Sequence, residues 1–196
     1  MVRALRDGTE VIVRPVTPED RDELRRGFLQ LSAESRYYRF LHLGALPTDE
    51  LLTYLTTVDQ RDHVAIGATI TSPDLKTERG VGIARFVRLP GPGRIAEGAI
   101  TVPDDMHRRG VGTVLLRELL RAAKARGVET LRAEVLADNE KMRAILERAG
   151  AKRAGNEEED GTVAYDLAIE REEEEEPSLF DVLRGAAETM ALRFRR

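Results

Sequence analysis

The sequence predicts one domain of the α/β class, of the α+β kind, in which a central mixed, mostly antiparallel sheet is flanked by helices. Alternating, β-branched segments follow one another with short turns between them, which is typical of antiparallel neighbours. A strand–helix–strand segment then interrupts that run and requires at least one parallel pair of strands. With 196 residues, 41% of them hydrophobic, the chain has the size of one domain and a modest extension.

The N-terminal part is predicted to contain one strand and three helices. Thr17 is a favourable cap and Pro18 suits a first helical position, so we expect a helix from there to about residue 31. A strand precedes that helix and two shorter helices follow it, with ranges of 9–14, 34–42 and 48–56.

The middle of the chain is predicted to be an antiparallel meander. Strong turn formers at 72–74 and the PGPG sequence at 90–93 separate its strands, and such short connections join neighbouring antiparallel strands. The three strands cover 64–70, 80–89 and 94–102.

Helices and strands alternate in the following segment. Apolar residues at helical spacing predict a helix at 109–126 that ends at Gly127 and another at 139–149, capped by Asp138 or Asn139. Met142 in the second helix is interpreted as a core residue. Strands are expected after each of these helices, at 129–136 and 162–169.

The chain is expected to divide into a domain at 1–169, an acidic linker at 170–176 and an amphipathic C-terminal helix at 177–196. The linker contains five consecutive glutamates, and a solvated linker is the simplest interpretation of such a run. An apolar stripe and a capping-box pattern predict the final helix. That helix either packs back on the domain or pairs with another subunit, which makes an oligomer one expectation; membrane contact is the weaker alternative.

Composition excludes several classes of function. The absence of cysteine excludes disulfides, thiolate catalysis and cysteine-ligated metal, and three scattered histidines argue against a metal site. A net charge of -4 gives no basic surface for nucleic acid. No apolar run is long enough for a membrane span and the N-terminus lacks the features of a signal peptide, so a cytoplasmic location is expected.

Residues 107–113, His-Arg-Arg-Gly-Val-Gly-Thr, have the features of an anion-binding helix start. The first turn of a helix carries free N–H groups and partial positive charge, and Gly110 and Gly112 let a ligand approach the backbone. Arg108 and Arg109 add formal charge, and Thr113 offers a hydroxyl. This pattern predicts a pyrophosphate cradle. It is neither a Walker loop nor a dinucleotide fingerprint.

In its context this segment resembles the GNAT superfamily of coenzyme A-dependent N-acyltransferases. The family signature [Gln/Arg]-x-x-Gly-x-[Gly/Ala] matches 107–112 except at its first position, which is His107. The next helix of the family begins at an asparagine, here Asn139, and ends in glycine plus an aromatic, which is Gly150-Ala151 here. The resemblance covers about residues 9–169 and implies the GNAT fold.

The resemblance also implies acetyl-CoA as cosubstrate, without a metal. Two parallel strands splay apart, the pantetheine arm pairs with the backbone of 100–102, and the pyrophosphate lies on the amides of 108–113. The amine then attacks the thioester directly, with no covalent enzyme intermediate. The expected coenzyme contacts are Ile100, Thr101, Val102, His107, Arg108, Arg109, Gly110, Val111, Gly112, Thr113 and Asn139. His107 is also interpreted as an exposed loop residue, and Asn139 as a helix cap.

Glu97 is the predicted general base, because an amine is mostly protonated at neutral pH and the site must accept a proton. Glu97 shares a strand face with Ile95, Ala99 and Thr101, and burial among such neighbours would raise its pKa. Gly98 next to it would permit a bulge. The alternative is an exposed strand glutamate without a catalytic role.

The N-terminal segment, AEGAITV and NEKMRAILERAGA together resemble the bacterial Pat-type protein lysine acetyltransferases, which modify acyl-CoA synthetases. In that group a strand glutamate matching Glu97 serves as base, so the implied acceptor is a protein lysine. The tyrosine acid of many GNAT members is missing, since Leu146 or its neighbour stands there. Tyr165 is interpreted as a packing residue.

The helix with Arg36, Tyr37, Tyr38 and Arg39 either lines the acceptor groove or packs its aromatics and exposes its arginines. Two other functions stay open for the whole chain. One is acetylation of a small-molecule amine, and the other is a non-catalytic acyl-CoA-binding regulatory module.

Overall fold

An eight-stranded sheet forms the centre of the described part of the chain, with strand order β1-β2-β3-β4-β5-β6-β8-β7. The computed structural model describes residues 1–41, 46–71, 78–91, 94–155 and 161–169. Its strands are β1 (Val2–Ala4), β2 (Glu10–Pro15), β3 (His63–Thr71), β4 (Glu78–Arg88), β5 (Ile95–Thr101), β6 (Thr130–Leu136), β7 (Lys152–Arg153) and β8 (Thr162–Ala168). The predicted class and the antiparallel meander are confirmed, since the strands from β1 to β5 pair in antiparallel order.

Five α-helices surround the sheet in these ranges, and their starts follow the capping residues of the sequence. The Thr48 side chain accepts a hydrogen bond from the Leu51 amide, and Asn139 accepts one from the Met142 amide. Thr17 and Pro18 begin a short 3₁₀ turn that leads into the first α-helix. The helices are α1 (Arg21–Gln30), α2 (Ala33–Phe40), α3 (Asp49–Thr56), α4 (Val111–Lys124) and α5 (Glu140–Arg148).

The parallel pair predicted from the strand–helix–strand segment is β5 with β6, connected through α4. It pairs over only three positions and its last pair is Glu97 with Arg132. Beyond that point β5 continues to Thr101 and β6 to Leu136 without pairing to each other. The two strands are therefore not hydrogen-bonded to each other beyond this pair, which leaves an opening in the sheet and agrees with the splayed strands that the resemblance implied.

The two faces of the sheet are covered by different helices. Helix α4 packs against β3, β4 and β5, where buried Leu115 and Leu119 meet Phe86 and Ala96 in the main core. Helices α1 and α2 contact the opposite face, at β4 and β5 respectively, and α3 packs against α1. Ala96 is buried in the main core beneath α4. Because successive side chains along a strand point to opposite faces, the next residue, Glu97, points to the α1–α3 side.

A second, smaller core joins β6 and β8 to α5. Val135, Val163 and Tyr165 are buried there, with Leu146 of α5 partly buried against them. No residue of α5 itself is buried. The interpretation of Met142 as a core residue is wrong: Met142 is 36% exposed, because α5 turns only its Leu146 side toward the small cluster.

Several finer expectations changed. The edge strands β1 and β7 were not predicted, since three and two residues are too few to show a pattern. The bulge that Gly98 would permit does not form, since the β4–β5 register runs without a break; a register irregularity lies at Ala68/Thr69 instead. Gly98 lies close to Leu131: a Cβ added at Gly98 would be 2.7 Å from Leu131 Cδ1.

Some of the predicted segments lie outside the described residues. They are the acidic linker at 170–176, the C-terminal helix at 177–196 and most of the turn residues at 72–74 and 90–93.

None of the helices in the described ranges combines the length and the hydropathy that a membrane span requires. The same ranges contain no cluster of three or more His, Cys, Asp or Glu side chains suited to hold a metal ion.

Gly82 of β4 lies where the first turns of α4 cross the sheet. A Cβ there would be 2.7 Å from Leu115 Cδ1 and 3.2 Å from the Thr101 carbonyl oxygen. We expect Gly82→Ala to lower the free energy of unfolding by about 1–3 kcal/mol through overpacking, measured by urea denaturation. Gly27→Ala in α1 is the matched control: nothing lies within 4 Å of its added methyl. The control should gain about 0.5–1 kcal/mol from helix propensity, and equal stability of the parent and Gly82→Ala would contradict this packing account.

Candidate active site

The N-terminus of α4 lies beside the opening between β5 and β6, where a short loop brings the chain from the end of β5. Gly110 caps the helix with a φ of 99°, a conformation that favours glycine. The first helical hydrogen bond runs from the Val114 amide to the Gly110 carbonyl. Within the described ranges, the amides of residues 111–113 have no protein acceptor. The helix dipole and three free N–H groups are therefore suited to bind an anion beside the C-terminal end of β5.

Contacts with the N-terminal turn hold this loop in place. The Arg109 guanidinium donates to Asp7 Oδ2 at 2.9 Å and to Thr9 Oγ1 at 3.1 Å, and it also contacts the sulfur of buried Met106. His107 is exposed, with its Nε2 2.9 Å from the Val102 carbonyl oxygen. The side chain of Arg109 thus fixes the loop to the β1–β2 turn, whereas Arg108 is exposed at a φ of 62°.

Helix α2 is attached to the same loop. Asp104 accepts hydrogen bonds from the Ser32 amide and hydroxyl, at 2.9 and 3.0 Å, and from the Ser35 hydroxyl at 2.7 Å. Partial burial raises the pKa of Asp104, but the hydrogen bonds from Ser32 and Ser35 outweigh it and hold the pKa below the usual range. At the other end of α2, Arg39 Nε donates to Thr101 Oγ1 at 2.8 Å. The helix is therefore fixed to both ends of the segment 101–104.

Glu97 occupies the last paired position before β5 and β6 diverge. Its partner on β6 is Arg132, which makes a bidentate ion pair with Asp166 of β8, both hydrogen bonds being 2.8 Å long. Of the two environments considered for Glu97, the structure shows the exposed one, so its carboxylate is not buried among its strand neighbours. The carboxylate thus faces solvent at the mouth of the opening, where an incoming group can reach it.

A pocket lies between the α1–α3 layer and the sheet, next to this strand position. It has a cavity volume of about 90 Å³ and is partly open to solvent. Its walls are largely apolar and include Phe28, Leu52 and Ile83, while Arg39, Arg85 and Thr101 contribute polar groups. The site therefore has two compartments, the helix N-terminus at the end of β5 and this pocket on the α1–α3 face.

Comparison with known proteins assigns the family. A family model described as acetyltransferase (GNAT) domain matches residues 10–152, which is most of the chain. The chain belongs to the GNAT acetyltransferase family. Members of this family use acetyl-CoA as their acyl donor.

Two curated relatives and one solved structure show how far the likeness to other GNAT proteins extends. Acetyltransferase Pat of Mycolicibacterium smegmatis is 37% identical over 154 residues, which are 75% of this chain and 43% of that protein. Acetyltransferase PA5475 of Pseudomonas aeruginosa is 29% identical over 86% of this chain and 89% of its own length. The crystal structure of the GNAT domain of S. lividans PAT matches with a TM-score of 0.77 and 31% identity, covering 86% of this chain and 96% of that one. The chain thus spans less than half of its M. smegmatis relative.

Most residues predicted to contact the coenzyme in this GNAT domain lie together at the C-terminal end of β5. Those of 107–113 surround the start of α4, and those of 100–102 end the adjacent strand. The side chains of Ile100 and Val102 pack against the main core, so only their backbone is available to a ligand. Asn139 caps α5, which confirms its interpretation as a helix cap.

Sequence reasoning missed the residues that tie the GNAT site together. Asp104 and its two serine partners gave no signal, because they are 72 and 69 residues apart in the chain. For the helix with Arg39, one alternative was that its arginines are exposed. Arg39 is instead half-buried and lines the pocket, so that alternative is wrong for this residue. Tyr165 is buried and its hydroxyl donates to Glu147, which confirms its packing role.

The Asp7–Arg109 pair predicts a pH dependence of stability. Hydrogen bonds from Thr9 and from Arg109 lower the pKa of Asp7 from 3.8 to about 2. Because the folded pKa is depressed, its stabilisation is present above the unfolded value and disappears as the pH falls toward about 2. We expect Asp7→Asn to lower the melting temperature at about pH 7, and the difference from the parent to shrink as the pH decreases through this window.

Thermal unfolding followed by circular dichroism across that pH range measures the difference. Asp22→Asn is the control, since Asp22 is an exposed residue of α1 with no ion pair among the described residues. A parent–variant difference that stays constant down to the lowest pH would show that the Asp7 carboxylate does not hold the loop.

Proposed function

We propose that this domain is an acetyl-CoA-dependent N-acetyltransferase that modifies a lysine of a protein, with Glu97 as general base. The observation that carries the proposal is the position of Glu97. It is exposed at the last paired residue of the β5–β6 pair, where the strands begin to diverge beside the free amides of α4. Similarity to Acetyltransferase Pat and to the GNAT domain of S. lividans PAT supports a protein acceptor.

The start of α4 fits the pyrophosphate of coenzyme A. Gly110 and Gly112 carry no side chain between the helix amides and an incoming anion, and the nearest atom to an added Cβ at Gly112 is 3.8 Å away on Val102. In this proposal the amides of 111–113 donate hydrogen bonds to the phosphate oxygens, with Arg108, His107 and Thr113 at the rim and Arg109 acting through its backbone. Residues 100 and 101 pair with β4 and not with β6, so the backbone of 100–102 would hold the pantetheine arm on its β6 side. Asn139, at the start of α5, would contribute from the β6 side.

The chemistry requires the chain to take up a proton. A lysine amine has a pKa of about 10.4, so it reaches the site mostly protonated and cannot attack until it loses a proton. The Glu97 carboxylate accepts this proton, directly or through water at its exposed position. The neutral amine nitrogen then bonds to the thioester carbon and gives one of its two remaining protons to water. The C–S bond breaks when the tetrahedral intermediate collapses to the amide. Since no tyrosine stands at the family's acid position, the thiolate takes its proton from water.

The acceptor reaches Glu97 from the α1–α3 side, where the strand face is accessible. A cytoplasmic protein such as an acyl-CoA synthetase is the acceptor that the Pat resemblance implies. The Arg132–Asp166 pair next to Glu97 gives this face fixed charges, which would orient an acceptor segment.

Lysine acetylation of an AMP-forming acetyl-CoA synthetase tests the acceptor and the base together. The pure protein is incubated with acetyl-CoA and the synthetase, and modified lysines are mapped by mass spectrometry. Glu97→Gln should lower the rate by about 100-fold or more, because a general base contributes about 10²–10⁴-fold. The deficit should shrink at higher pH, where more of the amine is already deprotonated. Glu129→Gln, which removes a half-buried carboxylate paired with Arg94, is the control and should keep its activity.

The other outcomes separate the alternatives. An unchanged rate in Glu97→Gln would remove Glu97 from the mechanism and leave the transferase. Acetylation of small amines without any protein modification would favour the small-molecule enzyme. Binding of acetyl-CoA with no transfer to either kind of acceptor would indicate a non-catalytic acyl-CoA-binding module.

Gly112→Ala tests the cradle separately from catalysis. The added methyl makes only ordinary contacts within the fold, so the variant should be at least as stable as the parent. It would nevertheless stand between the amides and the pyrophosphate, and we expect the Kd for acetyl-CoA to rise by about tenfold, which corresponds to about 1.4 kcal/mol. Isothermal titration calorimetry measures this, with Gly27→Ala as control. An unchanged Kd would place the pyrophosphate elsewhere.

A further inference from the structure

Two arginines stand in the pocket on the α1–α3 face without a carboxylate partner. Arg85 is only 6% exposed and lies near the middle of β4. Its guanidinium carbon is 4.5 Å from the centroid of the Tyr54 ring. Among the described residues, no carboxylate oxygen of Asp or Glu lies within 4.0 Å of the Arg85 guanidinium, which is the limit for an ion pair. This guanidinium is therefore a buried charge that the proposed chemistry does not use.

Arg39 adds a second cation to the same pocket. Its Nε donates to Thr101, and its guanidinium carbon lies 5.0 Å from the centroid of the Phe40 ring. Burial and the nearby charge of Arg85 lower the pKa of Arg39 to about 10, although Glu97 acts in the opposite direction. Both arginines remain charged at neutral pH, so they repel each other across a largely apolar cavity.

The carboxylates around this pocket do not neutralise the two arginines. Glu23 lines the pocket, but it accepts from the Gly80 amide and from Arg26. Glu97 attracts both guanidinium groups and lies outside ion-pair distance of either. Buried charges are normally paired, because an unpaired one is costly, and a planar guanidinium is suited to bind a carboxylate through two hydrogen bonds. The pocket thus has the composition of an anion site.

The sheet register relates this anion site to the proposed base. Glu97 stands opposite Val87 on β4, and Arg85 lies two residues before Val87 on the same face. Such diagonal neighbours in an antiparallel pair are about 7–8 Å apart. One acceptor segment can therefore present an amine to Glu97 and a carboxylate to the arginines at the same time.

We propose that Arg39 and Arg85 bind a carboxylate that the acceptor carries close to its reactive amine, and so select acidic acceptor sites. The inference rests on the proposed function and adds a substrate class to it. The carboxylate has two sources: an Asp or Glu side chain next to the target lysine, or the free carboxylate of an amino-acid-like acceptor. Both sources share the same chemistry, and the experiment distinguishes them.

Equilibrium binding tests this without requiring turnover. Short fluorescent peptides with one lysine followed by Asp or by Asn are compared by anisotropy, and Nα-acetyl-lysine is compared with its carboxamide by calorimetry. We expect the carboxylate member of at least one pair to bind about tenfold or more tightly, as hydrogen bonds to charged groups imply. Discrimination by the peptides assigns the carboxylate to a side chain, and discrimination by the small molecules alone assigns it to a free amino acid.

Arginine variants assign the preference to this pocket. Arg85→Gln and Arg39→Gln should each abolish it, whereas Arg94→Gln, an exposed arginine paired with Glu129, should retain it. Arg85→Lys and Arg39→Lys keep the charge and should keep part of the preference. If circular dichroism shows that a glutamine variant does not fold, the lysine variant at the same position tests the inference instead.

Equal affinity within both pairs, no measurable binding of any member, or a preference that persists in Arg85→Gln would each overturn the inference. The melting temperature separates binding from a structural role. Removing one of the two repelling charges should leave the melting temperature unchanged or raise it. A variant with a lower melting temperature that keeps the carboxylate preference would also overturn the inference. Transfer that fails while the preference holds would reject the proposed function alone, and transfer without the preference would reject this inference alone.

Discussion

The short pairing between β5 and β6 is the constraint on which the arrangement of this domain depends. Parallel neighbours need a crossover, and α4 supplies it, so the helix must begin at the edge where β5 ends. Pairing stops after Glu97 and Arg132, and the backbone of both strands is then open beside the free amides of α4. The opening, the anion-binding helix start and the exposed carboxylate thus share one geometric origin.

The loop between β5 and α4 is held by parts of the chain that precede it by many residues. Asp7 and Thr9 bind Arg109 from one side, and Asp104 receives α2 from the other. Most of these bonds involve a charged group, which makes them stronger than neutral hydrogen bonds. The loop can therefore keep a positive φ at Arg108, a strained conformation that persists only when the surrounding structure holds it. Rigidity at this place presents the helix amides in a fixed position and lowers the entropy cost of binding an anion.

The α1–α3 face combines apolar packing with buried charge, and the two have different purposes. Leu52 and Phe28 are buried and stabilise the helix layer. Arg39 and Arg85 work against stability, because they are like charges in a cavity of low polarity. Functional sites commonly retain such unfavourable features, and stability is recovered elsewhere, here in the core beneath α4.

The sequence by itself determined the class of fold, the order of its main elements, the parallel pair, the glycine-containing helix start and the caps at Thr48 and Asn139, because each depends on neighbouring residues and on local periodicity. It did not determine the edge strands, the exposure of Glu97 and Met142, or the register without a bulge at Gly98. The exposure of a strand residue depends on which helix covers that part of the sheet, and the neighbouring residues in the sequence do not determine this. The same holds for Asp104 with Ser32 and for the approach of Arg39 to Arg85. These contacts join residues far apart in the chain, and only the packing of α2 and α3 against the sheet brings them together.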